Sequence, residues 1–325
     1  MGEIERLLPG TKVSDWASAA IAAALPTTHI DYAGYDAGGT GPVNTTDKFS
    51  FPSDTRSTPS ALNLSSGRAY VGAASNNSIF AYVAGGSDSF PTKVDIVDKF
   101  TFPEHVRTTL ATGLSVANDD NKGLSNNGTA GYFAPINGSN YYIDKFAYSN
   151  DARSTLSGNI SNVGGYTSAE GAANGSTAGY WAAGGANGRN DDVAKLTYSN
   201  DTISTLSGRI WYDIQFMFGM SNSGTAAYFS GGSYNDGGWL VSNKYDKMVY
   251  SNETASTLTA TMSSSRYEGT AMADSSVAGY ICGGSSALTV DKITFSNDTS
   301  SALSTGLSVA KNRAGGYAHC SALAQ

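Results

Sequence analysis

Gly179-Tyr180-Trp181-Ala182-Ala183-Gly184-Gly185, then Lys195-Leu196-Thr197-Tyr198-Ser199-Asn200-Asp201, then Ser204-Thr205-Leu206: these three blocks decide the fold, because each recurs along the chain. The first block returns around Tyr35, Tyr82, Tyr132, Tyr228 and Tyr280, at spacings of 47, 50, 48, 48 and 52 residues with Tyr180 included. Most copies end in a double glycine, as at Gly38-Gly39, Gly85-Gly86, Gly231-Gly232 and Gly283-Gly284. The second block opens on Asp47-Lys48, Asp98-Lys99, Asp144-Lys145, Asp246-Lys247 and Asp291-Lys292, and only the fourth copy replaces Asp, with Ala194. It closes on an aromatic and a turn, as in Tyr148-Ser149-Asn150-Asp151, Tyr250-Ser251-Asn252-Glu253 and Phe295-Ser296-Asn297-Asp298. The first two copies carry Phe51-Pro52-Ser53-Asp54 and Phe102-Pro103-Glu104 there. Six copies in register over three blocks make the chain a repeat protein.

Each repeat reads as four strands. Strand b is the Tyr-to-Gly-Gly run, and strand c passes through the Asp-Lys mark. A tight Ser-Asn-Asp turn leads to strand d at Ser-Thr-Leu, since Asn and Asp side chains bond nearby backbone amides. A looser strand a, such as Gly67 to Ala74 or Gly269 to Ala273, precedes the next Tyr run. Four short strands in a period near 48 suit a propeller blade better than a solenoid turn. The first repeat begins at strand b near Tyr32, and an extra strand a, Arg313 to Cys320, follows the last. Paired with each other, these complete one blade and remove the exposed edges of an open array. The predicted fold is therefore an all-β, six-bladed propeller with four-stranded blades over residues 32–325, closed by a C-terminal strand. Residues 1–31 are predicted to form an arm with a short helix, Ser14 its N-cap and Pro26 its end. The basic region expected before a signal peptide is missing there, because Glu3 and Glu5 accompany Arg6.

The blade resembles a Kelch or galactose-oxidase-central-domain repeat, in which a double glycine ends the second strand and an aromatic sits in the third. It departs from eukaryotic Kelch repeats in lacking a regular late Trp. It resembles more the repeats of structural proteins from marine and cyanobacterial tailed phages, with the run Gly179 to Leu206 complete apart from the missing Asp. That resemblance implies a virion protein, a tail, nozzle, fibre or capsid-surface module, present in multiple copies and partnered by other virion proteins. The alternative is a non-viral Kelch-type interaction module or lectin, secreted or cytoplasmic.

Composition restricts the chemistry. Charged residues make up 14% of the chain, against roughly 25% in an average soluble domain, with Gly, Ser, Thr and Asn in their place. A net charge of −7 with thinly spread Lys and Arg argues against nucleic acid. No stretch is long and apolar enough for a membrane-spanning helix. Three histidines, His29, His105 and His319, and two cysteines, Cys282 and Cys320, are too few for most metal or hydrolytic constellations. The copper set of galactose oxidase is missing, so no cofactor, metal or catalytic residue is assigned and no enzymatic activity is expected. His29 and His319 fall near the closing blade and would need a third ligand, for which Asp31 is the nearest candidate. The repeated Asp-Lys pairs read as a packing or hydrogen-bonding solution common to all blades, and neighbours in a strand face opposite sides.

Function is sought where the repeats differ. The c–d turns are uniform, whereas the b–c and d–a connections vary and emerge on one face. That face carries Tyr141, Tyr142, Trp211, Tyr212, Tyr234 and Trp239, residue types that anchor interfaces and stack on sugars, including a host-surface glycan. In the arm, Leu7, Leu8, Trp16 and Ile21 are apolar enough to need a surface, which makes it the assembly contact.

Overall fold

The computed structural model describes residues 32–76, 79–135, 142–157, 160, 170–182, 192–206, 210, 214–274 and 276–319. The chain divides into two units, 1–31 and 32–325, and the arm with Leu7, Leu8, Trp16 and Ile21 lies outside the described residues. The described part is all-β and β-propeller-like. It contains one single-turn 3-10 helix, Ser60–Leu62, and no α-helix.

Six of its sheets have four antiparallel strands. In the second sheet the order is Gly72–Asn76, Phe80–Ala84, Val97–Thr101, Val106–Thr109. The third runs Asn121–Asn126, Ala130–Pro135, Ile143–Ala147, Arg153–Leu156, and the fourth Glu170–Asn174, Ala178–Ala182, Val193–Thr197, Thr202–Leu206. The fifth is Phe218–Asn222, Ala226–Ser230, Lys244–Val249, Thr254–Thr261, and the sixth Thr270–Asp274, Ala278–Cys282, Val290–Thr294, Thr299–Ala302. The first sheet joins the two ends of the repeat region. Gly315–His319 pairs antiparallel with Ala33–Ala37, which pairs with Thr46–Ser50 and then Thr55–Ser57.

Strands b, c and d thus fall on the expected blocks. Strand a starts later than its sequence suggests, at Gly72, Thr270 and Gly315 rather than Gly67, Gly269 and Arg313, by a single residue in the second case. The break lies just before each start: Tyr70, Glu268 and Arg313 each hold a positive φ, which interrupts an extended strand.

Burial peaks on strand b and falls from it toward strand d. Strand b is buried at every position, including Ala178–Ala182 and Ala278–Cys282, because it is covered on both faces. Strand c alternates, and strand d is mostly exposed. Between sheets, the strand-b Tyr packs on the aromatic that opens the next sheet's c–d turn. The pairs are Tyr35–Phe102, Tyr82–Tyr148, Tyr132–Tyr198, Tyr180–Tyr250, Tyr228–Phe295 and, from sixth sheet to first, Tyr280–Phe51, with centroids 4.9 to 5.7 Å apart. Such a pair contributes about 1 kcal/mol beyond the area it buries.

The innermost strands touch each other in cyclic order, from the first sheet through the sixth and back to the first. Their approach is set by small residues at one register: Ala73, Gly123, Gly171, Gly219, Ala271 and Gly316, which line a narrow central passage. A Cβ on Gly123 would lie 1.8 Å from the Ala73 carbonyl oxygen, and one on Gly316 would lie 2.0 Å from that of Ala271. The double glycines do a related task. Gly39, Gly86, Gly232 and Gly284 donate their amides to the carbonyls of Arg68, Asn118, Arg266 and Lys311, in the connection leading to the next sheet.

Candidate functional site

The repeated polar residues are consumed in holding sheet to sheet. Strand-b Tyr and strand-c Lys are cross-strand partners in all six sheets, for example Tyr132 with Lys145 and Tyr280 with Lys292. At five boundaries both side chains reach one carboxylate in the next sheet's c–d turn. Tyr132 Oη and Lys145 Nζ donate to Asp201 at 2.8 and 2.7 Å, and Tyr280 and Lys292 to Asp54 at 2.7 and 2.8 Å. Tyr180 and Lys195 meet Glu253 in the same way, Tyr228 and Lys247 meet Asp298, and Tyr82 and Lys99 meet Asp151. At the first-to-second boundary His105 stands in this position, its Nε2 2.9 Å from Tyr35 Oη. All six turn residues have φ between 54 and 58°, so Asp serves both as a left-handed turn residue and as the inter-sheet acceptor. Burial and the adjoining carboxylate push the Tyr82, Tyr180, Tyr228 and Tyr280 hydroxyls up, so these phenols stay protonated.

The strand-c Asp, on the opposite face from the Lys, anchors the incoming d–a connection. Asp98 accepts from Ser65 N and Oγ at 2.9 Å, from Thr109 Oγ1 at 2.7 Å and from the Arg68 guanidinium, which is buried with it. Asp144 binds Ser115 and Thr155, and Asp291 binds Ser263 and Arg266, in the same manner. Both members of the Asp-Lys mark are therefore scaffold. The Cys282 thiol is also inert, since burial pushes its pKa well up.

Chemical variety appears at one backbone position, three residues before the small residue of five innermost strands, the sixth such position lying outside the described residues. Tyr70, Asp120, Phe216, Glu268 and Arg313 occupy it, all with φ between 55 and 61°. Non-glycine residues rarely adopt this conformation, and five equivalent ones mark a shared constraint. Backbone bonds supply it: Glu268 N donates to Phe216 O at 2.9 Å, Arg313 N to Glu268 O at 2.6 Å, Tyr70 N to Arg313 O at 2.7 Å and Asn121 N to Tyr70 O at 3.3 Å. Among the described residues this hydrogen-bonded rim runs from the fifth sheet through the sixth, first and second to the third, on the edge where the b–c and d–a connections emerge. Its side chains interlock. The Arg313 guanidinium lies 4.2 Å over the Tyr70 ring and is ion-paired with Glu268. Lys122 Nζ is 2.5 Å from Glu170 and 3.6 Å from Asp120. Burial pushes Glu170 up, and Lys122 holds it down in part, whereas the two carboxylates outweigh the burial of Lys122 and raise it.

Outside the rim between the first and second sheets lies an open cleft of about 370 Å³. Its walls are Thr40, Pro42, Tyr70, Phe90 and Arg313. Phe90, at the tip of the hairpin Ser87–Ser89 and Thr92–Lys93, is 79% exposed. A second irregular element sits on the fifth sheet, a three-stranded sheet of Ile214–Gln215, Ser233–Asn235 and Trp239–Val241. Its outer strand exposes three consecutive apolar residues, with Trp239 at 67%.

Of the six aromatic residues expected on this face, Tyr141, Trp211 and Tyr212 lie outside the described residues. Tyr142 is half-buried and donates to Val116 O at 3.3 Å, its pKa pushed up to about 12 by burial and by Asp144. Tyr234 packs against the buried cluster containing Met217 and Ile214. Among the described members Trp239 faces solvent, opposite Asn235, one residue along the paired strand from Tyr234, the partner of Leu240. His29 and Asp31 are also outside the described residues, as is the His319 side chain. No group of three metal-ligating side chains occurs among the described residues. Among the same residues no helix is long and apolar enough to cross a membrane. The rim escapes sequence reading because its residue types differ in every repeat. Its only signal is the constant three-residue offset from a small residue on strand a.

No protein-family model matches the sequence, and no curated protein matches it. Among solved structures, one titled "Structure of YjhT" is similar with a TM-score of 0.65, at 14% identity, over 86% of this chain and 99% of that one. At that identity the likeness concerns the fold alone.

Proposed function

We propose that this chain is a non-catalytic binding and assembly scaffold of a tailed-phage virion, serving as a tail, nozzle, fibre or capsid-surface module. In this reading the six sheets are the blades of a Kelch-like propeller, closed by the strand Gly315–His319. The arm of residues 1–31 attaches it to other virion proteins, in multiple copies per particle. The loop face is the recognition surface, with host glycan as its expected ligand class.

One observation carries the scaffold reading. The outer strand Trp239–Leu240–Val241 turns three apolar side chains to solvent, while the repeated Tyr, Lys and Asp residues are engaged between sheets. Exposed apolar edges of this kind mark interaction sites. The virion assignment rests on the repeat run Gly179 to Leu206 and its resemblance to phage structural repeats. A second reading, a lectin or Kelch-type interaction module outside a virion, is favoured by the cleft with its exposed Phe90 beside Tyr70.

The test is mass spectrometry of purified particles, followed by imaging of particles carrying the intact or arm-deleted chain. Detection at many copies, lost on deleting 1–31, is the expected result. Absence from particles overturns the virion assignment and leaves the second reading.

A further inference from the structure

The molecule carries an exposed apolar knob and an open apolar cleft on the same edge, and one chain cannot bring them together. The knob, Trp239, belongs to the fifth sheet's insertion, whereas the cleft lies between the first and second sheets. In the cyclic contact order of the innermost strands, the sixth sheet intervenes on one side and the third and fourth on the other. The three-stranded insertion holds Trp239 opposite Asn235, fixed by pairing, so it has no reach across the face.

We infer that a second copy of this chain supplies the occupant: Trp239 of each copy enters the cleft of the other, and the two loop faces meet about a two-fold axis. A surface bearing both a knob and its receptor is self-complementary, which is the requirement of an isologous dimer. The chemistry of the cleft matches the residue that would enter it. Pro42, Tyr70 and the exposed Phe90 provide flat apolar walls, and the half-buried Arg313 guanidinium presents a cation to an indole, the strongest aromatic partner of such a group. The cleft of about 370 Å³ accommodates an indole. Charge is complementary as well. Asp236 is exposed three residues before Trp239, so an entering loop carries a carboxylate toward the rim where Arg313 lies. Trp and Arg in a sheltered pocket are the residues that dominate interface energetics. This inference goes beyond the proposed function and does not depend on the virion assignment.

The test uses the full chain in sedimentation equilibrium over a concentration series. The wild type is expected to be a monomer–dimer equilibrium, and Trp239→Ala and Phe90→Ala are each expected to weaken dimerisation roughly tenfold or more. Both side chains are exposed, so neither substitution disturbs the core, and circular dichroism checks this. The deciding measurement mixes the two variants. A heterodimer keeps one intact contact, Trp239 of the Phe90→Ala copy in the unaltered cleft of the other, so the mixture associates more strongly than either variant alone. Asp236→Lys is expected to weaken dimerisation several-fold, and more so at low salt. A monomeric wild type, a dimer indifferent to Trp239→Ala, or a mixture no stronger than its components overturns the inference.

Discussion

Lys99 donates to both carboxylate oxygens of Asp151, at 2.8 and 2.9 Å, across the boundary between the second and third sheets. The same residue accepts from Tyr82 and holds the left-handed position of its own turn, at φ 58°. Turn geometry and inter-sheet adhesion are thus coupled through one side chain.

Asp151→Asn keeps the turn and a hydrogen-bond acceptor but removes the ion pair. Both partners are partly exposed, so urea denaturation is expected to show a loss of about 0.5–1 kcal/mol that shrinks with added salt. Asp151→Ala also removes the Tyr82 acceptor and the short polar side chain that makes a positive φ tolerable, and costs about 1–2 kcal/mol more. Equal effects of the two substitutions would mean that the turn geometry carries no weight.

Gly123→Ala places a methyl group 1.8 Å from a backbone carbonyl in the next innermost strand. Backbone cannot step aside as a side chain would, so a loss of about 3 kcal/mol or an unfolded product is expected. Gly238→Ala, with nothing within 4 Å, serves as the control and should leave the melting temperature unchanged.

Removing Gly315 to Gln325 strips the partner from the strand Ala33–Ala37 and exposes its edge. It also removes Tyr317, 3% exposed and stacked on Tyr35 at 4.9 Å. The truncated chain is expected to aggregate or lose cooperative unfolding, whereas deleting the hairpin tip at Asp88 to Pro91 is tolerated. Tyr317→Ala alone should cost about 3–5 kcal/mol. A truncated chain that melts like the full one would show that the first sheet does not need its C-terminal strand.

Asp36 and Asp47 are direct cross-strand partners in the first sheet, both wholly buried, with Lys311 Nζ 3.2 Å from Asp47 and 3.9 Å from Asp36. One ammonium serves two carboxylates, and Cys282 and Tyr317 are the other titratable groups nearby. Burial, with Asp47 adding to it and Lys311 opposing, pushes Asp36 from 3.8 to about 7. The folded state therefore binds this proton more tightly than the unfolded chain does. Its contribution is fully present below pH 3.8 and is lost as pH rises toward 7. Asp36→Asn should be more stable than the wild type at pH 8 and should flatten the dependence of stability on pH between 5 and 8, measured by denaturant titration. A wild-type profile that the substitution leaves unchanged would assign the pH dependence elsewhere.

The legibility of the sequence followed the range of each interaction. Strands b, c and d could be placed because their signals are local: an apolar run, an alternating strand and an Asn-Asp turn, repeated six times. Strand a was overextended because its start is set by residues such as Tyr70 and Arg313, whose positive φ is imposed by hydrogen bonds from neighbouring sheets. Trp239 faces solvent, whereas Tyr234, five residues earlier on the neighbouring strand, is taken up by packing. The two sit on paired strands of one insertion, and sequence alone does not say which of those strands is covered.

Taken alone, the sequence determined the repeat, the four-strand order of each unit and the complementary fragments at its two ends. Periodicity exposes positions under a common constraint. It could not say what the constraint was, because Tyr82 meets Asp151 some 69 residues onward, in the next sheet rather than in its own repeat. The tertiary structure decided that the Tyr, Lys and Asp marks are inter-sheet bonds, that small residues crowd the innermost strands, and that five dissimilar residues share one strained rim. Those are contacts between separate sheets, and they exist only once the sheets are brought together.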